Sequence, residues 1–156
     1  LFRQFIRPQF QSFFAALPTI TKIVYGFALF SLALKVVIQL VVLLPELAQV
    51  SHQIRNFVIG YIHLTMLGII TGFLFGFALQ NDFFNSRNRI QTWGIAIFLF
   101  GFFTTEILLF LQGIWFFLGK GRLPNYYQNL FLYSIFMPAG LIMLSVEILK
   151  LKPKTI

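Results

Sequence analysis

Apolar residues fall along this chain in four long blocks, each closed by breakers or charged residues, and not in the alternation of a half-buried strand. A membrane-spanning helix needs about 20 mostly apolar residues. The blocks therefore predict spans over 23–44, 57–79, 93–118 and 130–149. Pro45 and Glu46 stop the first, Gln80, Asn81 and Asp82 the second, and Gly119, Lys120, Gly121 and Pro124 the third. The short connections predict antiparallel neighbours in one bundle. Ahead of it, residues 1–17 mix Phe2, Phe5, Ile6, Phe10, Phe13 and Phe14 with Arg3, Gln4, Arg7, Gln9 and Gln11, as a segment lying in the membrane interface does. The tail of a preceding loop or helix is the other reading of that stretch. The expected fold is an all-α integral membrane bundle of four transmembrane helices, with residues 1–20 an interfacial or linker segment and 21–156 the bundle.

Composition agrees with the pattern: of 156 residues, 58% are hydrophobic and 10% charged, too few polar groups to coat a water-soluble globule. The net charge of +8 sits at the edges of apolar blocks, which points to the bilayer and not to nucleic acid as its partner. No cysteine is present, so thiolate metal sites and disulfides are excluded. No phosphate loop, H-E-x-x-H pair or G-x-S-x-G elbow occurs either, and a soluble hydrolase has no residues to rest on. The chain opens on Leu1, as a fragment or processed product would.

Arg3, Arg7, Lys22, Arg87, Arg89, Lys150, Lys152 and Lys154 share one side of the expected topology, and Arg55, Lys120 and Arg122 the other. Positive charge is retained in the cytoplasm, so both termini are expected there, in a bacterial inner membrane, with His63 in the outer half of its helix. Trp93, Tyr126 and Tyr127 fall near span ends, as interfacial aromatics do.

Ionisable residues inside spans are the candidate chemistry. His63 lies in the second helix, nearly opposite a stripe of Gly68, Gly72 and Gly76 that lets a neighbouring backbone approach. Ser31, Lys35 and Gln39 recur at four-residue spacing on the first helix, with Glu46 further along. Glu106 lies at similar depth on the third. An unpaired charge there is costly, so Lys35 and Glu106 are expected to interact directly or through water, the other reading being that each is a neutralised packing residue. Thr104, Thr105 and Gln112 are expected to bond neighbouring helices, Pro138 to kink the fourth helix, Glu147 to pair with Lys150, and His52 to be solvated.

The stretch Asn56-Phe57-Val58-Ile59-Gly60-Tyr61-Ile62-His63-Leu64-Thr65-Met66-Leu67-Gly68 resembles the tenth helix of heme-copper oxidase subunit I, Y-x-V-V-A-H-F-H-Y-V-x-S-x-G. Tyr61 stands where that family has its first histidine, and His63 matches the second. The resemblance thus implies at most the low-spin heme, with His63 as its metal ligand. Gly119-Lys120-Gly121-Arg122-Leu123-Pro124-Asn125-Tyr126-Tyr127 is similar to the family's loop G-x-x-G-M-P-R-R-Y-x-D-Y, which implies Lys120 and Arg122 as partners of the heme propionates. The copper ligands and the other axial ligand belong to earlier helices of that family.

Three functional expectations stay open. The first is a membrane subunit like the last four helices of an oxidase core subunit, heme-binding or degenerate, within a respiratory-type complex of other membrane subunits. The second is an accessory subunit without cofactor, packing against a larger assembly. The third is a proton or solute pathway through Lys35, Glu106 and His63.

Overall fold

The computed structural model describes residues 17–45, 50, 54–81, 83–84 and 88–150, with 147–150 described by backbone alone. Most of the expected interfacial segment lies outside these residues, as do Arg3, Arg7, Glu46, His52, Asp82, Arg87, Lys152, Lys154 and the Glu147–Lys150 side-chain pair. All regular structure among the described residues is helical, and four spans are long and apolar enough to cross a membrane.

Helix α1 covers Thr19–Val41 and begins directly after Pro18, whose ring holds φ at −57°. It tightens at its far end, where the Leu43 and Leu44 amides bond back to the Leu40 and Val41 carbonyls just ahead of Pro45. The second span starts as α2, Arg55–His63, widens into a π-helical segment over Leu64–Ile70, and resumes as α3, Thr71–Gln80. An apolar run shows no period at which such a widening is visible. The Thr71 hydroxyl donates to the carbonyl of Met66, five residues back, the spacing that suits the wider turn. The third span, α4, runs over Arg89–Phe117 and is capped by Asn88, whose side-chain oxygen accepts the Ile90 amide.

The fourth span is broken. Helix α5, Tyr126–Ser134, gives way at Ile135 to α6, Phe136–Lys150. Pro138 accounts for this, since it has no amide to offer Ser134 and its ring crowds that carbonyl.

Glycines show how the spans meet. The places a Cβ would take on Gly68, Gly72 and Gly76 lie against Ser31, against Ala28 with Phe27, and against Tyr25 respectively. Descending numbers on α1 thus match ascending numbers across the π segment and α3, and the two spans run antiparallel. Gly94 faces Gly140 and Leu144 while Gly101 faces Phe136 and Met137, so α4 and α6 are antiparallel as well. Gly60 faces Glu106 and Phe110, and Gly113 faces the Phe57 ring, which joins α2 to α4 in the same sense. Half of the α4 span window is buried (50%) against 11% of the fourth span's, so α4 is the centre of the bundle.

Two aromatic contacts fill the interior. Phe75 meets Phe98 edge-on at 5.1 Å beside Val24, Leu79, Ile95 and Leu144, and Phe27 meets Phe102 edge-on at 5.1 Å beside Leu64. The outside carries Leu43, Phe131 and Ile142 at 75%, 69% and 63% exposure, an apolar surface suited to lipid. Substituting Gly72→Leu should cost about 1–3 kcal/mol by overpacking against Phe27 and Ala28. Gly26→Ala, where nothing lies within 4 Å, should leave stability level or raise it by up to about 1 kcal/mol. Unfolding followed by circular dichroism in detergent checks both.

Candidate functional site

His63 is the last residue of α2, immediately ahead of the π segment. Departures of this kind from α geometry recur at functional sites. The ring is half-buried and its Nδ1 atom is buried with no hydrogen-bond partner. It looks into a cavity of about 340 Å³ walled by Ile59, Thr105, Tyr127, Phe131 and Ser134. The Thr105 and Ser134 hydroxyl protons at this cavity are already engaged. Thr105 Oγ1 lies 2.8 Å from the Gly101 carbonyl and 2.9 Å from that of Phe102, and Ser134 Oγ lies 2.8 Å from that of Phe131. Their oxygens remain able to accept.

Glu106 occupies the contact between α2 and α4. Gly60 makes room for it: the place its Cβ would take lies 3.6 Å from Glu106 Oε1 and 3.3 Å from the Phe110 ring. The carboxyl group's residue is 5% exposed, and neither oxygen has a hydrogen-bond partner. A charge without a partner in such a medium costs several kcal/mol. Glu106 thus lies against Gly60, while His63, three residues on, lines its cavity with Thr105 and Leu109, the α4 residues one before and three after Glu106.

The expected direct contact between Lys35 and Glu106 is not made. Lys35 Nζ lies 5.7 Å from the centre of the Tyr61 ring, while Glu106 lies against Gly60, so the two meet different faces of α2. Packing of α1 explains this, because it follows the π segment and α3 and leaves α2 to α4. The polar stripe of α1 is split accordingly: Ser31 is buried against Gly68 with no partner for its hydroxyl, Lys35 is half-buried, and Gln39 is exposed.

Beyond the membrane core, Lys120 stacks on the Trp115 ring at 5.1 Å and Arg122 on that of Tyr127 at 4.7 Å. Since Tyr127 lines the His63 cavity, Arg122 reaches that cavity's wall and Lys120 does not. Trp93 and Tyr127 are exposed at 63% and 62%, whereas Tyr126, the first residue of the fourth span, is buried and accepts a 2.8 Å hydrogen bond from Asn56 Nδ2. Asn56 gave no signal in the sequence beyond being polar at a helix start. Thr104, Thr105 and Gln112 do not bond neighbouring helices. Both threonines reach carbonyls of their own helix, as this side chain's length favours. Gln112, 0% exposed, holds the following loop instead, donating to the Gly121 carbonyl at 3.2 Å and accepting the Leu123 amide at 2.9 Å. Gly119 and Gly121, at φ +68° and +76°, turn that loop back over the helix end where Gln112 can reach it.

Among the described residues no cluster of three or more His, Cys, Asp or Glu could hold a metal ion. For the heme that the resemblance implies, the His63 cavity offers one imidazole, with the Arg122 guanidinium stacked on the ring of the lining residue Tyr127, and no second imidazole, thioether or thiolate lines it. That donor set fits a group shared with another chain, not one held by this chain alone.

Replacing Gln112 by leucine should leave the Leu123 amide and Gly121 carbonyl unmatched, at about 1–3 kcal/mol. Amide exchange at Leu123 should quicken while exchange within α1 stays unchanged. A scan against family models, a search of curated proteins and a search of solved structures each return no match for this chain.

Proposed function

We propose that this chain is a membrane subunit carrying a proton-exchanging site at the α2–α4 junction, with Glu106 and His63 as the exchanging groups. The observation that carries this reading is Glu106, 5% exposed with both oxygens unpartnered. A lone packing residue gains nothing from a carboxyl group in that position, whereas a group that takes up and releases a proton needs one free of fixed partners. His63, with an unpartnered ring nitrogen on the same face of α2, supports it as the second stop. Lysine and arginine asymmetry supports cytoplasmic termini, and with that orientation in an inner membrane of a bacterium His63 belongs to the outer half. The thin burial of the fourth span, 11%, supports association with further membrane subunits.

A second reading keeps His63 as an axial heme ligand, with Arg122 near the propionates and the other axial ligand supplied by a partner chain. The position of His63 on the wall of a cavity of about 340 Å³ favours this version. A reduced-minus-oxidised spectrum of the native complex, lost in His63→Ala, is its signature.

For the proton reading, proteoliposomes under an imposed potential should acidify, and Glu106→Gln should slow this by at least about tenfold, with Glu106→Asp in between. Wild-type flux no greater than that of empty liposomes, or a Glu106→Gln protein equal to wild type, sinks the proposal.

A further inference from the structure

The two halves of the second span turn their packing faces into one groove. On α2, Phe57 lies against Gly113, Gly60 against Glu106 and Phe110, and Leu64 packs with Phe27 and Phe102. On α3, Gly72 lies against Phe27 and Ala28, and Gly76 against Tyr25. Phe27 of α1 and Phe102 of α4 themselves meet edge-on at 5.1 Å, so the groove is the one between α1 and α4.

An unbroken α-helix could not bring these five residues to one side. At about 100° per residue, Phe57 and Gly60 stay within about 40° of Leu64, but Gly72 and Gly76 come out about 80° and about 120° away. Counting one residue fewer brings both glycines to within about 20° of Leu64. The π segment between them absorbs that residue: the amide and the hydroxyl of Thr71 both reach the Met66 carbonyl, five residues back instead of four. The opposite face agrees. Val58, Ile62, Met66, Ile70 and Leu74 are all exposed, although four-residue steps would drift by about 160° over that length of α-helix.

With α3 seated on α1, an α-helical 64–70 would turn α2 by about 100°. Tyr61 would then arrive where Gly60 now stands, a place whose Cβ already lies 3.3 Å from the Phe110 ring and 3.6 Å from Glu106 Oε1. His63 would move to the exposed place of Ile62 and leave its cavity.

We propose that the residue in excess within Leu64–Ile70 is a positioning device, which turns α2 so that Gly60 admits Glu106 and His63 lines its cavity while α3 keeps its seat on α1. Removing one residue from this segment should therefore leave both halves of the span in place. Removing one elsewhere in the span should not. The inference concerns where these side chains stand, and its test involves no proton flux, so it can fail without the proton reading failing.

The test deletes one exposed residue at a time from the full chain, Met66 inside the π segment, Val58 in α2 or Leu74 in α3, with Met66→Ala as the control for loss of the side chain. Deleting Val58 or Leu74 puts at least one glycine contact out of register. The Met66 deletion should unfold within about 4 °C of Met66→Ala in detergent, and the other two should unfold lower or yield no folded protein. Because the chain has no cysteine, paired substitutions can read the register of each half separately. Tyr25→Cys with Gly76→Cys reports α3 on α1, and Phe57→Cys with Gly113→Cys reports α2 on α4, since each pair replaces a ring that fills the space over a glycine. Dibromobimane should bridge both pairs in the Met66 deletion as it does in the full-length chain. A Met66 deletion that unfolds as low as either of the other deletions, or that loses either bridge, overturns the proposal.

Discussion

Contact between glycine and a bulky neighbour is the interaction on which this bundle depends. Lipid tails are as apolar as the side chains, so burial against lipid gives helices no reason to associate, and dispersion at close range must supply it. The second span's contacts with α1 and with α4, and the contact of α4 with α6, use the same device. Tyr25 and Phe27 fill the space over Gly76 and Gly72, Phe57 that over Gly113, Phe110 that over Gly60, and Phe136 that over Gly101. Where Gly94 and Gly140 face each other, the backbones themselves come into contact.

That close packing leaves little freedom for polar side chains. Thr65, Thr104, Thr105, Ser134 and Ser145 all turn to carbonyls of their own helices. A local bond of this kind satisfies a hydroxyl without help from another span, so it contributes nothing to holding spans together. Polar contacts between spans include Asn56 to Tyr126, which ties the start of α2 to the start of α5, and Tyr25 to Gln80, which fastens α1 to the end of α3. Buried polar atoms without a partner among the described residues are the Thr21 and Ser31 hydroxyls, His63 Nδ1 and both Glu106 oxygens, of which only the last two side chains can ionise.

Helix α2 separates two environments because consecutive residues point in different directions. Ile59 and His63 line the cavity of about 340 Å³ beside α4 and α5, Gly60 faces Glu106, and Val58 and Tyr61 line a cleft of about 690 Å³ beside α1. The cleft results from α1 following the glycines of the π segment and α3. Gly68, Gly72 and Gly76 draw α1 to one half of the second span and leave the other half without it.

Span number, approximate bounds, the stopping points at Pro45 and Gly119 and the disturbance of the fourth span by Pro138 were legible in the chain itself, because length, apolarity and the lack of a proline amide act locally. The intramembrane position of His63, Lys35 and Glu106 was equally legible, since depth follows from distance to the span ends. Their partners were not. Whether Lys35 meets Glu106 or Tyr61 depends on which face of α2 each neighbouring helix takes, and that follows from glycine-to-ring fits summed over several spans. The π segment after His63, the loop held by Gln112 and the burial of Tyr126 escaped for the same reason. An all-apolar run records that a helix lies in lipid; only the meeting of helices decides which side of it faces protein, because in hydrocarbon the choice rests on shape and not on polarity.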